Sequence, residues 1–271
     1  MSEEPKQDHI SSKMVVYKAP ASDAVTARRE EAYKVSDGRT LTMDLYSPAD
    51  LKSGARAPAV ILVAGYPDSG YERVVGCKFK EMGWSRSWGQ LAAGSGLIAV
   101  TYTNREPASD VHALLEYIRE NAATLGVDPN RIGLLASSGN VPLALSVLMR
   151  EPRDYLKCAV LCYGYMLDLE GSTAVAEAAK MFRFANPCAG RSVDDLSQEI
   201  PLFIARAGRD EFPHLNEAID RFLAKALNRN LPITFVNHHA APHAFDLVHD
   251  SEASREIVRQ ILAFLRSNLL A

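Results

Sequence analysis

Short apolar runs rich in β-branched residues alternate along this chain with longer stretches whose apolar positions recur at helical spacing. That alternation constrains the fold more than any other feature. A parallel strand covered on both faces needs such an uninterrupted apolar run, and successive parallel strands need a long crossover, usually a helix. The pattern predicts an α/β fold, with a mostly parallel central sheet and helices on both faces. The clearest strand is residues 58–64 (PAVILVA), ended by the turn formers Gly65-Tyr66-Pro67-Asp68-Ser69-Gly70. Further strands are predicted over 97–102, 131–136, 158–163, 201–207 and 233–237. Helices are predicted over 84–93, from a cap at Asp110 to 125, and over 140–149, 216–228 and 251–270, with Asp128-Pro129-Asn130 as a turn.

Residues 1–32 are polar and irregular, and read as an N-terminal arm. From Tyr33 to the end, residues 33–271 read as one domain. It opens with a hairpin turn at Ser36-Asp37-Gly38 and a strand over 40–46. Residues 168–199 are the least strand-like and form the natural cap segment over a site. Lys plus Arg is 30 against 33 for Asp plus Glu, a formal net charge of -3, which supports neither a nucleic-acid nor an anionic-membrane partner. No segment approaches the roughly 18 apolar residues of a membrane span. The opening MSEEPKQDHI lacks the apolar core of a secretory signal, so a cytoplasmic setting is the default. Four Cys are too few for a disulfide scaffold, and Cys158 and Cys162 fall in a predicted strand as small hydrophobes.

The segment RIGLLASSGN (131–140) carries the chemistry. A short strand meets an Ala-Ser-Ser-Gly turn and runs straight into a helix. That geometry holds a serine exposed on a sharp turn, with a helix N-terminus behind it to favour developing negative charge. Small residues are needed two before and two after the nucleophile. Ser138 has Ala136 and Asn140 there, whereas Ser137 has Leu135 and Gly139; Leu135 fits worse, so Ser138 is the nucleophile expected. Pro142 suits the first helical turn. A serine needs a base that a carboxylate orients. Of seven His, His243 lies in the loop after the last predicted strand, where it can reach neighbouring strand ends. His239 and His243 stand at helical spacing for zinc, but Pro242 between them argues against a helix, and no metal or cofactor is expected. Asp210 follows the 201–207 strand through a Gly208-Arg209 turn, at the strand end where parallel sheets build sites. Glu211 could substitute for it, Asp246 steadies the loop behind His243, and Asp168 opens the cap. Oxyanion donors are expected from the Gly139 N–H and from Tyr66, through its backbone or its phenol.

The order Ser138, Asp210, His243 is that of the alpha/beta-hydrolase superfamily, which the chain resembles from about Tyr33 onward. The segments DGRTLTMDLYSP, PAVILVAGYPDSG, LGVDPNRIGLLASSGN, PLFIARAGRDEFP and APHAFD carry the resemblance, which is nearest to the dienelactone-hydrolase-like and small carboxylesterase branches. The Asp-Pro-x-Arg-Ile lead into the elbow is its most specific part. By that resemblance APHAFD assigns the base to His243, and AGRDEFP assigns the acid to Asp210. Three departures stand out: the elbow reads A-x-S-x-N, Ala64-Gly65-Tyr66 replaces His-Gly-Gly, and Ser138 stands where dienelactone hydrolases proper have Cys. The expectation is a metal-free serine carboxylesterase acting on small or medium acyl esters, with a small-molecule ester as its partner and a homodimer as one oligomeric state. An amidase or peptidase on the same triad, and a non-catalytic binding protein on a hydrolase scaffold, are the alternatives.

Overall fold

The computed structural model describes residues 9–36, 38–151 and 154–271. An eight-stranded sheet runs through them, in the order β1-β2-β4-β3-β5-β6-β7-β8. The strands are β1 (Thr26–Ser36), β2 (Arg39–Ser47), β3 (Ala57–Leu62), β4 (Ile98–Tyr102), β5 (Val127–Ser137), β6 (Leu156–Cys162), β7 (Leu202–Ala207) and β8 (Ile233–His238). β1 and β2 are antiparallel, and β2 joins β4 antiparallel; from β4 across to β8 every pair is parallel. Packed around the sheet are α1 (Asp68–Val75), α2 (Gly83–Gly94), α3 (Pro107–Glu120), α4 (Ala122–Leu125), α5 (Val141–Leu148), α6 (Ala174–Phe182), α7 (Leu215–Asn228), α8 (Phe245–Val248) and α9 (Glu252–Leu269). The core lies along the central strands, where β3 and β4 are buried at every residue. No helix is long and apolar enough to cross a membrane among the described residues.

Most predicted elements form within a residue or two of their expected ends, and the departures have local causes. β1 begins at Thr26, inside the stretch read as an irregular arm. It is an edge strand that is largely exposed, so its Arg-Arg-Glu-Glu run carries no apolar alternation to betray it. Ser36 pairs with Arg39, as a hairpin requires, while Asp37 lies outside the described residues. α1 was not expected, because its first turn is built from the turn formers Asp68, Ser69 and Gly70 after Pro67. α3 starts three residues before Asp110, with Pro107 in its first turn. Asp110 is therefore not the N-cap; its carboxylate instead reaches back to accept the N–H groups of Arg105 and Glu106, both at 2.8 Å. Asp128-Pro129-Asn130 belongs to β5, whose register with β3 breaks between Val127 and Ile132.

One consequence of the strand order places the site. The chain leaves β3 for β4 on one side and returns to β5 on the other. The crevice at a parallel sheet's C-terminal edge opens where connections diverge in this way. The loops after β3, β5, β6, β7 and β8 bring Tyr66, Ser138, Tyr163, Asp210 and His243 to that edge.

Candidate active site

Ser138 stands at the end of β5 with φ +55°, a left-handed conformation that costs a non-glycine residue about 1–3 kcal/mol. The strain comes from reversing the chain between the extended Ser137 and the single 3-10 turn Ser138–Asn140, which leads directly into α5. Pro142 falls in the first turn of that helix, where its missing N–H costs nothing. Gly139 has no room for a side chain, because a Cβ there would collide with the Tyr66 hydroxyl and the Phe184 ring. The Asn140 departure has a use. Its side-chain oxygen accepts the Gly65 N–H at 2.7 Å and the Tyr71 hydroxyl at 3.0 Å, tying the elbow to the loop after β3. Neither the Gly139 nor the Tyr66 N–H donates to a protein acceptor among the described residues.

The Ser138 hydroxyl donates to His243 Nε2 at 2.9 Å, and His243 Nδ1–H donates to Asp210 Oδ2 at 2.6 Å. A carboxylate can only accept, so it selects the tautomer that leaves Nε2 free to take a proton. The Asp210 side chain is wholly buried, and its Oδ1 accepts the Phe212 N–H at 3.0 Å. Close contact between two loops makes this meeting possible: Gly208 N–H donates to His238 O and Arg209 N–H to Ala241 O. A Cβ on Gly208 would lie 2.6 Å from His239 Cα, so any side chain there would push the acid and base loops apart. Glu211 is exposed and takes no part. Asp168 caps α6, its carboxylate accepting the N–H groups of Val175 and Ala176 at 2.8 and 2.9 Å.

Sequence reasoning has Asp246 steadying the loop behind His243 but misses the aromatic groups that support the imidazole. The His243 ring packs against Tyr163, with centroids 5.0 Å apart, and against Phe212, at 4.5 Å. Behind it Asp246 binds three side chains, among them both indoles of α2. The one available signal was the spacing of Trp84 and Trp88, which puts both on one helical face.

No protein-family model matches the sequence, and no curated protein matches it. Solved structures do match. A thermophilic esterase from the Planctomycetes species Thermogutta terrifontis is similar at 19% identity with a TM-score of 0.64, over 92% of this chain and 94% of that one. An esterase of the fungus Rhizomucor miehei is similar at 16% identity and TM-score 0.69, over 91% of this chain and 84% of that one. Thermogutta terrifontis esterase 2 phosphonylated by sarin is similar at 18% identity and TM-score 0.66, over 88% of this chain and 95% of that one. The chain has the alpha/beta-hydrolase fold. At these identities the likeness speaks for the fold.

Within this alpha/beta-hydrolase fold, Ser138 and His243 open onto a cavity of about 740 Å³. Aromatic rings form much of its wall, including Tyr66, Tyr71, Phe79, Trp84, Tyr165 and Phe212. The segment read as a cap contributes Met181, Phe182 and Arg183, and Ala185 N–H fastens it to Gly65 O at 2.8 Å. Burial beside Tyr165 pushes the Tyr66 phenol up to about 12, so it stays a neutral donor at ordinary pH.

Asp68, two residues past Tyr66, is buried at the start of α1, and burial pushes its carboxyl from an ordinary 3.8 up to about 7. Its Oδ2 accepts the Asn104 N–H, but its Oδ1 and the Asn104 side-chain oxygen have no hydrogen-bond partner among the described residues. Between the two pKa values the folded chain holds a proton that the unfolded chain has lost. Stability therefore falls as pH rises through this window and is level above it. The contribution is up to about 4 kcal/mol. Asp68→Asn removes the ionisation, so urea unfolding should show the variant gaining on the parent from about pH 4 to pH 8. A stability difference that does not change with pH would contradict this assignment.

Proposed function

We propose that the protein is a serine carboxylesterase cleaving esters of small or medium acyl groups through an acyl-enzyme intermediate. The observation that carries this reading is the unbroken hydrogen-bond chain from Ser138 through His243 to buried Asp210, with the serine held at φ +55°. Ser138 Oγ attacks the ester carbonyl as His243 Nε2 takes its proton. The carbonyl oxygen gains negative charge, and the free N–H groups of Gly139 and Tyr66 stabilise it, with the Tyr66 phenol at hand as a further donor. The imidazolium then gives its proton to the leaving alkoxide, and the C–O bond breaks to leave an acyl-serine. Water, deprotonated by the same imidazole, attacks that ester and frees the acid and the serine. Asp210 keeps Nδ1 protonated throughout.

The fold supports the same reading, since the solved structures named above are esterases and one of them is phosphonylated by sarin. The pattern of motifs fits the dienelactone-hydrolase-like and small carboxylesterase branches, with serine chemistry in place of cysteine. A matched pair of substrates, one ester and one amide of the same acyl group, tests the proposal. Rapid release from the ester with little from the amide is the expected result. Comparable amide cleavage would favour an amidase, and no turnover of either across a range of acyl lengths would favour a non-catalytic binding protein.

A further inference from the structure

Three residues past the imidazole lies a buried carboxylate that no cation among the described residues neutralises. This residue, Asp246, is in α8, and only 3% of it is exposed. Its Oδ2 accepts the indole N–H groups of Trp84 and Trp88 at 2.8 and 2.9 Å, and its Oδ1 accepts the Tyr163 hydroxyl at 2.6 Å. All three donors are neutral. An indole N–H can only donate, so Oδ2 cannot carry a proton, and the arrangement suits the ionised acid. Burial pushes the carboxyl's pKa up while the three donors pull it back. An apolar residue of similar size would avoid the cost of burying this charge, so packing alone does not account for it.

Two links join Asp246 to the base. Tyr163, whose hydroxyl Asp246 holds, makes a T-shaped contact with the His243 ring at 5.0 Å, and Phe212 also packs on that ring at 4.5 Å. Tyr163 also sits at the end of β6, between the strands that bear Ser138 and Asp210, with φ +36°. The second link is the main chain, since only Ala244 and Phe245 separate His243 from Asp246. Asp246 O accepts the Val16 N–H at 2.7 Å, which fixes this short segment from outside. The other titratable groups near the carboxylate are quiet. Burial holds the Cys162 thiol and the Tyr163 phenol well above their ordinary pKa values, and keeps His238, packed on Phe245, below its own.

We propose that Asp246, acting through Tyr163, is a positioning residue for His243. It holds the imidazole where it reaches both Ser138 and Asp210, and it sets a negative charge behind the imidazolium that forms in turnover. The inference rests on the esterase reading. Its test compares the parent, Ser138→Ala, Asp246→Asn and Tyr163→Phe on one chromogenic short-chain ester, with kcat, KM and the pH profile measured for each. Asn keeps the shape and leaves its oxygen facing the indoles, but its amide faces the phenol, which must turn from donor to acceptor, so the substitution removes the charge and reverses that one bond. Asp246→Asn is expected to lower kcat about tenfold with KM nearly unchanged, and to move the acid limb of kcat/KM down by about half a pH unit. Tyr163→Phe keeps the ring and the charge but cuts their connection, so kcat should fall with less movement of the limb. Parent values of kcat and acid limb in both variants, with only the melting temperature lowered, would reduce the network to a structural one and overturn the proposal. Should Asp246→Asn fail to fold, kcat of Tyr163→Phe decides alone. Full activity in Ser138→Ala would instead overturn the esterase reading, and this inference with it.

Discussion

Ser138→Ala is expected to reduce ester turnover by about 10⁴- to 10⁶-fold, the scale on which triads lose activity when the nucleophile goes. The size of the loss follows from the absence of a substitute. Ser137 is next in the chain, but it is extended and buried at the strand end, and of these two serines it is Ser138 whose Oγ bonds the imidazole. KM should change little, because the cavity wall is left intact. The variant should also fold, since alanine meets the same left-handed backbone as serine and gives up one hydrogen bond at a half-buried site. A residual rate within about tenfold of the parent would remove Ser138 from the mechanism.

Asp210→Asn should come close to that effect, at about 10⁴-fold in kcat, and for a reason that can be read atom by atom. The Phe212 N–H donates to Oδ1 and so fixes the asparagine's oxygen on that side. Its NH2 group is left facing His243 Nδ1. A donor there forces the imidazole into the other tautomer, with its proton on Nε2 pointing at Ser138, and the base can no longer accept. Glu211→Gln, one residue away and exposed, should leave turnover within about twofold and serves as the control for loss of nearby charge. Equal losses in both variants would mean that charge rather than hydrogen-bond direction is what His243 needs.

How far the sequence alone could reach depended on where each residue sits. β3, and β6 from Cys158 onward, are legible because strands covered on both faces must be apolar there. β1 and α1 are not: β1 is an exposed edge strand with no apolar alternation, and α1 is built in its first turn from residues that elsewhere make turns. The choice of Ser138 over Ser137 turned on the size of Leu135, which is buried in the sheet. Asp210 and His243 could be placed at strand ends by counting elements, and their loops do meet. Asn140 looked like a departure and became intelligible only when Gly65 and Tyr71 were seen bonded to it. The sequence points to Asp246 as steadying the loop behind His243, but not to its indole partners, which lie about 160 residues away, a distance no local pattern spans. Local rules recover strands and turns, whereas buried polar networks become visible only once the chain is folded.

The claim that Ser138 is an activated nucleophile has a direct test. A fluorophosphonate probe reacts with such a serine by losing fluoride and forming a stable phosphonyl ester. After labelling and trypsin digestion, the peptide between Arg131 and Arg150 should carry the adduct, with fragment ions placing it on Ser138 rather than on Ser137 or Ser146. Labelling should slow greatly in Asp210→Asn and vanish in Ser138→Ala. An unlabelled Ser138 in protein that still hydrolyses esters, or an adduct on another residue that accounts for the activity, would contradict the account.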